Sequence, residues 1–510
     1  MPLLGPDEPR YAQIGREMLL NRDLITPTLG GHTWFEKPAL LYWLVAASFK
    51  LFGVSEWSAR LGPAICGVLT IAAVWWTGRT VERTMSNPDW NGYASWSALI
   101  TASCLGLIVF SRATSFDIAI TMTNAWALGF FFQSDLTEHD RQRKMLLLGF
   151  YCCVGLSLLA KGLVGVVVPF GVILTYLVFR RTIPDRIAWT SLLWGLPVVL
   201  LLSAIWYVPV IYKNGWVFIN EFFIQHHFAR YISNKYHHPQ PLYFYPAILL
   251  MLTVPWTPFL IDALIPGTRW RWKGEDNQTR LYLFLIAWIV FPIVFFSFSG
   301  SKLPGYILPV LPAALLLVSA SITRPQRSKL TIRVCGLLWL FLGLCGLFYV
   351  LRFERLPLSW ALLAAAPFVF AGLVTLFWRR SIDIPLLAIA ASVLVAVIII
   401  LNFFAARLVR KESTSELLLL ADQRGYNHVP VLALRGDDRS AEFYASGRVI
   451  YGVNGEVIPL DEAAGIVAAA RSRKERILAF TPLEHVVYLQ GLPGVEVIGN
   501  NGKLALICFY

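Results

Sequence analysis

Charge is the property that this sequence has least of. Asp, Glu, Lys and Arg together make up 15% of the 510 residues, whereas 56% are hydrophobic. Soluble domains carry about 25% charged residues, so this composition excludes an ordinary soluble protein. The hydrophobic residues lie in long runs, and a helix of roughly 17 to 25 such residues crosses the ~30 Å hydrocarbon core of a bilayer. The sequence therefore predicts a polytopic membrane protein.

Cysteine is also scarce, and its positions exclude a disulfide-stabilised protein. Six of the seven cysteines lie within hydrophobic runs and only Cys508 lies elsewhere, which is neither a disulfide framework nor a zinc-ribbon spacing. Residues 1–5 have neither the basic segment nor the hydrophobic segment of a cleavable signal peptide. So short an N-terminus outside the membrane is unusual without a preceding helix. We therefore expect that the chain starts one transmembrane helix late.

By the length criterion, twelve hydrophobic runs are predicted to span the membrane. They lie near residues 61–81, 93–110, 118–132, 146–160, 163–179, 187–211, 242–265, 281–298, 306–322, 332–351, 358–378 and 384–405. Together they predict a mostly α-helical bundle over residues 1–405, in which residues 1–57 form an outer loop with interfacial helices.

Lys and Arg gather in alternate loops, which indicates the orientation of the bundle. Positive loops are retained in the cytoplasm, so the cytoplasmic side is predicted to carry residues 141–144, 180–186, 269–280, 324–333 and 379–380. The opposite side then carries the N-terminal segment, the loop 212–241, the turn 299–305 and the C-terminal tail. The positive cytoplasmic loops thus explain most of the net charge of +13, and binding of nucleic acid is a poor explanation for it.

Charge returns after about residue 405, and short β-rich runs alternate there with a helix-like run. Residues 406–510 are therefore predicted to form a small α/β domain that faces outward. We find no catalytic motif in it, and a structural or acceptor-facing role is expected.

Several charged motifs lie on the predicted outer side. Asp7 and Glu8 are adjacent carboxylates beside Arg10, and the alternative to a functional role is a solvated loop in which Asp7 caps a helix. Arg112 and Asp117 bracket a short connection between two spans, where charge is costly unless it is paired or used. The alternative for these two residues is a structural ion pair.

Further charge lies among aromatic residues of the same side. Glu36 and Lys37 stand at the entry to a predicted interfacial helix, although Lys37 alone can also extend toward lipid head groups. In the turn 299–306, Lys302 and Tyr306 suit a lipid phosphate, and the alternative is a turn with a snorkelling lysine.

The loop 212–241 holds half of the eight histidines. Clustered histidines with a Glu can ligate a divalent metal, although no HExxH or i, i+4 spacing supports such a site here. The candidate polar residues of this loop are Glu221, His226, His227, Arg230, Lys235, His237 and His238.

Together these motifs favour a substrate whose anionic group lies at the depth of the lipid head groups. Phosphate is a good leaving group once cations neutralise it, and Lys37, Arg230 and Lys302 are the candidates for this role. An outward-facing Asp can deprotonate an acceptor for in-line attack on a sugar carbon. The residues thus favour glycosyl transfer with inversion from a lipid-phosphate donor.

The motifs also carry a resemblance to a known family. They occur in family order, over about the first four hundred residues: Asp-Glu-Pro-Arg-Tyr-Ala at 7–12, Phe-Glu-Lys-Pro-Ala-Leu-Leu-Tyr-Trp at 35–43, Arg112 followed by Asp117, His-His-Phe-Ala-Arg-Tyr at 226–231, and Ser-Gly-Ser-Lys-Leu-Pro-Gly-Tyr-Ile-Leu-Pro at 299–309. They resemble the polyprenyl- or dolichyl-phosphate-dependent protein mannosyltransferase superfamily and, within it, the aminoarabinose lipid A transferases. The resemblance implies a GT-C fold whose first outer loop supplies the catalytic Asp.

Residue by residue, the resemblance implies a role for each motif. Asp7 would be the leading catalytic carboxylate and Asp117 the second essential acid. Lys37 and Tyr306 would contact the phosphate region of the donor, to which charge and position add Arg230 and Lys302.

The aminoarabinose branch also implies a metal pair, which Glu36 and His227 would match with Zn or Mg. His226 is an alternative to His227, because the family usually has an acid before its His and this chain does not.

The leading expectation is an inner-membrane glycosyltransferase that uses a polyprenyl-phosphate sugar on the periplasmic face. Lipid A, another envelope glycan or a protein would be the acceptor. The alternatives are a transporter or flippase of lipid-linked sugars, which predicts a repeat with Gly or Pro breaks in paired spans, and a non-catalytic envelope scaffold. The sequence does not select the sugar.

Overall fold

The structure, a computed structural model, describes residues 1–85, 90–229, 240–265, 276–323, 329–378, 380–404, 413–432, 439–452, 455, 463–473 and 475–510. Of residues 227 and 228 only the backbone is described. Helices predominate, as the sequence predicts, and the longer strands lie near the C-terminus.

The N-terminal half consists of helices and one short hairpin. In chain order it contains α1 (Asp7–Leu20), β1 (Thr28–Leu29), β2 (His32–Thr33), α2 (Leu40–Phe52), α3 (Glu56–Thr84), α4 (Tyr93–Ala102), α5 (Leu105–Arg112), α6 (Phe116–Leu136), α7 (Asp140–Lys161), α8 (Val164–Arg180) and α9 (Arg186–Phe218), which continues as a π-helix (Ile219–Ala229).

The second half completes the bundle and adds a sheet. It contains α10 (Phe244–Leu252), α11 (Thr257–Leu264), α12 (Asn277–Ser297), a 3₁₀-helix (Pro304–Val310), α13 (Leu311–Thr323), α14 (Lys329–Arg352), α15 (Leu358–Phe377), α16 (Asp383–Ile399) with a π-helical end (Ile400–Phe404), α17 (Ser415–Gln423), β3 (Val431–Leu432), α18 (Ser440–Tyr444), α19 (Ala463–Arg471), β4 (Ile477–Pro482), α20 (Leu483–Gln490), β5 (Val495–Asn500) and β6 (Leu504–Phe509).

Among the described residues, eight helices are long and apolar enough to cross a membrane, and a ninth is obtained if α4 and α5, bent by 55°, count as one span. The eight cover Glu56–Thr84, Asp140–Lys161, Arg186–His226, Asn277–Ser297, Pro304–Thr323, Lys329–Arg352, Leu358–Phe377 and Asp383–Phe404.

Three of the twelve predicted runs belong neither to these eight helices nor to the bent pair, each for a physical reason. The run at 118–132 lies in α6, whose buried face carries polar residues such as Asn124 that lower its hydropathy. The run at 163–179 forms α8, which has only 17 residues. The run at 242–265 is divided into α10 and α11 near Pro255, because proline has no amide hydrogen to continue a helix.

The core of the bundle surrounds α13. All thirteen residues of this helix are buried, which is the expected place for a helix that is apolar on every side. The 3₁₀-helix that leads into α13 is also largely buried. This rigid centre fixes the turn 299–305, which precedes it, against the ends of α6 and α7.

The C-terminal strands form one sheet with the order β3-β4-β6-β5. β3 is parallel to β4, whereas β6 is antiparallel to both β4 and β5. Because alternate side chains of a strand point to opposite faces, Leu478 and Phe480 join one apolar cluster and Ile477 and Ala479 join another. The sheet is thus covered on both faces, and it lies within the region predicted to be α/β.

Contacts with α1 join the C-terminal region to the bundle. The backbone N–H of Leu3 donates to the hydroxyl of Tyr444 at 2.8 Å, and Arg16 donates to Ser446 Oγ at 3.1 Å. Phe443 also packs near Phe49 of α2, with ring centroids 6.3 Å apart. Residues from opposite ends of the sequence therefore meet around α1 and α2.

Candidate active site

The first turn of α1 presents two neighbouring carboxylates to different surroundings. Glu8 is only 6% exposed, whereas the side chain of Asp7 is 57% exposed. The helix begins after Pro6, and no side chain caps it. The alternative in which Asp7 acts as a helix cap is therefore wrong.

Glu8 is a structural carboxylate whose two oxygens are both engaged. Arg60 of α3 donates to both, from Nε at 2.7 Å and from Nη2 at 2.8 Å, and the backbone N–H groups of Leu4 and Thr114 donate as well. The guanidinium also donates to the carbonyls of Met1 and Pro2 at 2.7 Å. A buried charge needs such partners, and these bonds fix the start of α1.

Asp7 belongs to a second group of charges that faces outward. Arg10 pairs with Asp7, and its Nη1 lies 3.9 Å from Glu36 Oε2. Lys37 Nζ donates to Glu36 Oε1 at 2.9 Å. The Arg10 guanidinium lies 5.1 Å from the ring centroid of Trp34. Two carboxylates and two cations from separate motifs thus lie side by side.

The environment of Arg10 keeps this guanidinium charged. Burial alone would lower its pKa, but Glu36, Tyr11 and Asp7 act in the opposite direction and the net pKa is raised above its usual value. A permanently charged Arg10 holds Asp7 and Glu36 in place without removing the exposure of Asp7.

An aromatic cluster brings three of the sequence motifs together. Tyr11 of α1 packs edge-on against Phe116, the first residue of α6, with centroids 4.9 Å apart. Tyr42 of α2 packs on the same Phe116 at 5.1 Å. Since Phe116 directly precedes Asp117, this cluster places the second acid next to the motifs that carry Asp7 and Glu36.

Asp117 lies in the first turn of α6 and pairs with Lys161, the last residue of α7. Ser115, not Asp117, caps the helix by accepting a hydrogen bond from the backbone N–H of Asp117 at 3.1 Å. The alternative of an ion pair between Arg112 and Asp117 is therefore wrong. Arg112 instead donates to the sulfur of Met1 at 3.1 Å.

The turn 299–305 closes on this pair. A Cβ at Gly305 would lie 2.0 Å from Asp117 Oδ2, so a side chain there would displace this carboxylate. Lys161 Nζ lies 5.0 Å from the centroid of the Tyr306 ring. Lys302 is 9% exposed and donates to the carbonyl of Gln240 at 2.8 Å. Tyr306, one of the residues predicted to contact the donor phosphate, therefore lies beside Lys161 and Asp117, and Lys302 lies in the turn that precedes it.

Part of the predicted site lies in the loop after the π-helix. The backbone of His227 is described but its side chain is not, and Arg230 lies outside the described residues. Over the described ranges, no group of three or more His, Cys, Asp and Glu side chains is placed to hold a metal ion. The metal pair of Glu36 and His227 stays a prediction.

Lys161 was not among the predicted site residues. A signal for it exists, because it is a single lysine at the end of an otherwise apolar run and Gly162 follows it. The positive-inside rule draws attention to clusters of positive charge in loops and not to one isolated lysine. The sequence contains no comparable signal that Glu8 is buried and Asp7 exposed, because Arg60, the partner of Glu8, is 52 positions away in sequence.

Comparison with known proteins agrees with this geometry. Residues 36–206 match the family model described as dolichyl-phosphate-mannose-protein mannosyltransferase. An undecaprenyl phosphate-alpha-4-amino-4-deoxy-L-arabinose arabinosyl transferase of Pseudomonas fluorescens is 31% identical over 357 residues, which are 68% of this chain and 58% of the relative. A transferase of the same name from Yersinia pestis is 29% identical over 63% of this chain and 55% of the relative. The chain thus spans less than two thirds of the length of these relatives.

Solved structures show the same fold. Crystal structures of ArnT from Cupriavidus metallidurans, bound to undecaprenyl phosphate and in the apo state, superpose with TM-scores of 0.78 and 0.76. Both are 22% identical and cover 99% of this chain and 94% of that chain. The predicted GT-C architecture and the resemblance indicated by the motifs are confirmed.

Proposed function

We propose that this chain, which shares the ArnT fold and the motifs of the mannosyltransferase superfamily, is an inverting glycosyltransferase that transfers a sugar from a polyprenyl-phosphate donor to an envelope acceptor. The observation that carries the proposal is the packing of Tyr11, in the helix that begins with exposed Asp7, on Phe116, which precedes Asp117 and its neighbours Lys161 and Tyr306. These residues come from four separate helical segments. A non-catalytic scaffold has no need of this convergence.

Asp7 is the proposed general base. It is the more exposed of the two acids in its motif, so an acceptor hydroxyl can approach it, and Arg10 holds it in place. In the transfer, the acceptor oxygen bonds to the sugar carbon while the bond from that carbon to the phosphate oxygen breaks. The proton of the acceptor passes to Asp7, and polyprenyl phosphate leaves with the bonding electron pair.

Cations beside Asp117 are proposed to stabilise the phosphate that leaves. Lys161 is not in the sequence-based set, but its contacts with Asp117 and with Tyr306, which follows the turn that carries Lys302, support this role. Positive charge that is fixed before the reaction stabilises developing negative charge at little reorganisation cost. Lys37 would add positive charge on the side where Asp7, Arg10 and Glu36 lie. Arg230 stays a predicted contributor.

Asp117 is proposed to act through Lys161. Its carboxylate holds the ammonium group against the ring of Tyr306 and occupies the space beside Gly305 that a Cβ would need. On this proposal the second acid positions a cation and does not itself remove a proton.

A metal ion is not assigned a step. Glu36, the described half of the predicted pair, already lies between Lys37 and Arg10. A divalent ion at this carboxylate would add a third positive charge at the same place, so the described donor set does not fit one well. Each proposed step therefore uses only the side chains of the chain itself.

The similar proteins indicate a class of substrate. They are transferases of 4-amino-4-deoxy-L-arabinose from undecaprenyl phosphate, and we propose the same donor class here. The acceptor would be lipid A, another envelope glycan or a protein. The site would face the periplasm from the inner membrane, and residues 406–510 would form a periplasmic domain, as their contacts with α1 support.

The test compares Asp7 with its neighbour. Purified chain is mixed with radiolabelled undecaprenyl-phosphate sugar and lipid A, and transferred label is counted. Asp7→Asn is expected to lower turnover by about a thousandfold or more, as loss of a general base does, with an unchanged unfolding midpoint. Glu8→Gln is expected to lower the midpoint, because it leaves Arg60 partly unpaired.

Turnover of Asp7→Asn within a factor of two of wild type would remove Asp7 as the base. A chain that moves the labelled lipid across proteoliposomes without transferring its sugar would instead support the transporter.

A further inference from the structure

A cavity with charged residues in its wall lies at the end of the bundle opposite Asp117 and Lys161. It has a volume of about 440 Å³ and lies among α6, α7, α8, α9 and α12. Asp117 begins α6 and Lys161 ends α7, whereas Asp135 near the end of α6 and Arg143 near the start of α7 line this cavity. The cavity therefore opens on the side that the Lys and Arg distribution predicts to be cytoplasmic.

Positive charge exceeds negative charge in the cavity wall. Arg180 donates from Nη1 to both carboxylate oxygens of Asp135 at 3.1 Å, and Arg143 pairs with Asp185 at 2.6 Å. Arg280 is the third arginine, and among the described residues it donates to the carbonyl of Asp135 alone, at 3.3 Å. The described residues that line the cavity thus include three arginines and two aspartates.

Two buried polar atoms of the wall also have no hydrogen-bond partner in the part of the chain that the structure describes. They are Nε of Arg280 and Oγ1 of Thr182. A buried donor without an acceptor is costly because it has lost its bonds to water, so native structures rarely leave one unused. Both residues line this cavity, so the two atoms are suited to an anion bound there.

The rest of the cavity is apolar and reaches the surface that faces lipid. Phe150 and Phe170 line its interior, and Leu174, Ile183 and Trp189 line it with side chains that are 64%, 86% and 56% exposed. Tryptophan is enriched where the hydrocarbon core meets the head groups. A free anion would gain nothing from such walls, whereas a lipid would bury its chain against them.

We propose that this cavity binds one anionic phospholipid of the cytoplasmic leaflet. Its phosphate would accept hydrogen bonds from Arg280 Nε and from the Thr182 hydroxyl. The part of its acyl chain nearest the head group would lie along Leu174 and Trp189. Basic pockets between membrane helices on the cytoplasmic side are suited to anionic head groups. The proposal depends on the predicted orientation and not on the transferase activity.

The experiment titrates the full chain in neutral detergent with phosphatidylglycerol or with phosphatidylcholine. Bound lipid is counted by native mass spectrometry, and the unfolding midpoint is followed in parallel. Phosphatidylglycerol is expected to bind at least tenfold more tightly and to raise the midpoint by several degrees. Inorganic phosphate is expected to bind measurably only at far higher concentration, because it lacks the acyl chain.

Two variants locate the lipid. Thr182→Val keeps the shape of the side chain and breaks no bond that the structure describes, so it is expected to weaken phosphatidylglycerol binding about threefold to tenfold while the lipid-free midpoint stays unchanged. Arg280→Gln is expected to weaken binding more. Arg186→Gln is the matched control, since this exposed arginine begins α9, directly after the connection that holds Thr182, and does not line the cavity.

Equal binding of the two lipids would overturn the proposal, and so would a loss in Arg186→Gln that equals the loss in Thr182→Val. An affinity for inorganic phosphate equal to that for the lipid would assign the cavity to a free anion instead.

Discussion

The two ends of the helix bundle hold their charges in different ways. At the outer end, Asp7 keeps much of its surface exposed although Arg10 pairs with it. At the opposite end, Asp135 and Asp185 are engaged by arginines, and the atoms left unsatisfied are donors, Arg280 Nε and Thr182 Oγ1. An available carboxylate suits a reaction that removes a proton, whereas available donors suit the binding of an anion.

The sharpest way to break this comparison is to remove a cation from the outer end. Lys161→Met keeps the length of the side chain but removes the charge held by Asp117. Turnover is expected to fall by about a hundredfold or more, because one preorganised group that stabilises developing charge contributes this much. Transfer of labelled sugar measures the effect.

Lys213→Met is the control for that variant. Lys213 forms an ion pair with Asp23 on the same side, but its side chain is 50% exposed, and exposed pairs contribute little. A loss of turnover as large in Lys213→Met as in Lys161→Met would show that positive charge in general, and not this site, is needed.

The matching change at the other end is Asp135→Asn. It weakens the pair with Arg180 and the hydrogen bond from the Tyr176 hydroxyl at 2.7 Å. The free energy of unfolding is expected to fall by about 1 to 3 kcal/mol, because a partly buried guanidinium loses its counter-ion. Turnover per folded molecule is expected to stay unchanged, which thermal unfolding and transfer assays of one preparation can test together.

Asp140→Asn, at an exposed position in the first turn of α7, controls for a general effect of losing an acid. A large loss of turnover in Asp135→Asn with an unchanged unfolding midpoint would contradict the division between the two ends.

The smallest expected effect concerns pH and the C-terminal region. Burial raises the pKa of Glu442 in spite of its bond from Arg439 at 2.6 Å, and Glu442 Oε2 has no hydrogen-bond partner among the described residues. The folded chain therefore keeps a proton that the unfolded chain has already released. This contribution to stability is present at low pH and is lost as pH rises through the raised pKa.

Glu442→Gln imitates the protonated acid and is expected to flatten this part of the pH dependence. The unfolding midpoint measured from about pH 4.5 to pH 7 tests it. Glu484→Gln replaces an acid with a 77% exposed side chain in the same region and should leave the slope as it is. A slope in Glu442→Gln equal to that of wild type would exclude Glu442 as its source.

Much of the outer end could be predicted because its charged residues lie in short sequence motifs. Asp7, Glu36 and Lys37 stand beside aromatic residues near the start of the chain, and the structure groups them as neighbours. The predicted roles of these residues remain to be tested by the variants above. The ion pair of Asp117 with Lys161 was not predicted. The two residues are 44 positions apart, and they meet because α6 packs on α7.

The sequence by itself determined that the chain crosses a membrane, because apolar runs of sufficient length leave few other choices, and it indicated the family through ordered motifs. The tertiary structure alone decided which of two adjacent acids is buried, since an α-helix directs successive side chains about 100° apart. It also decided that Asp117 meets Lys161 and that unused donors of Arg280 and Thr182 share a cavity. Such meetings depend on how helices distant in sequence pack, and local sequence patterns do not encode them.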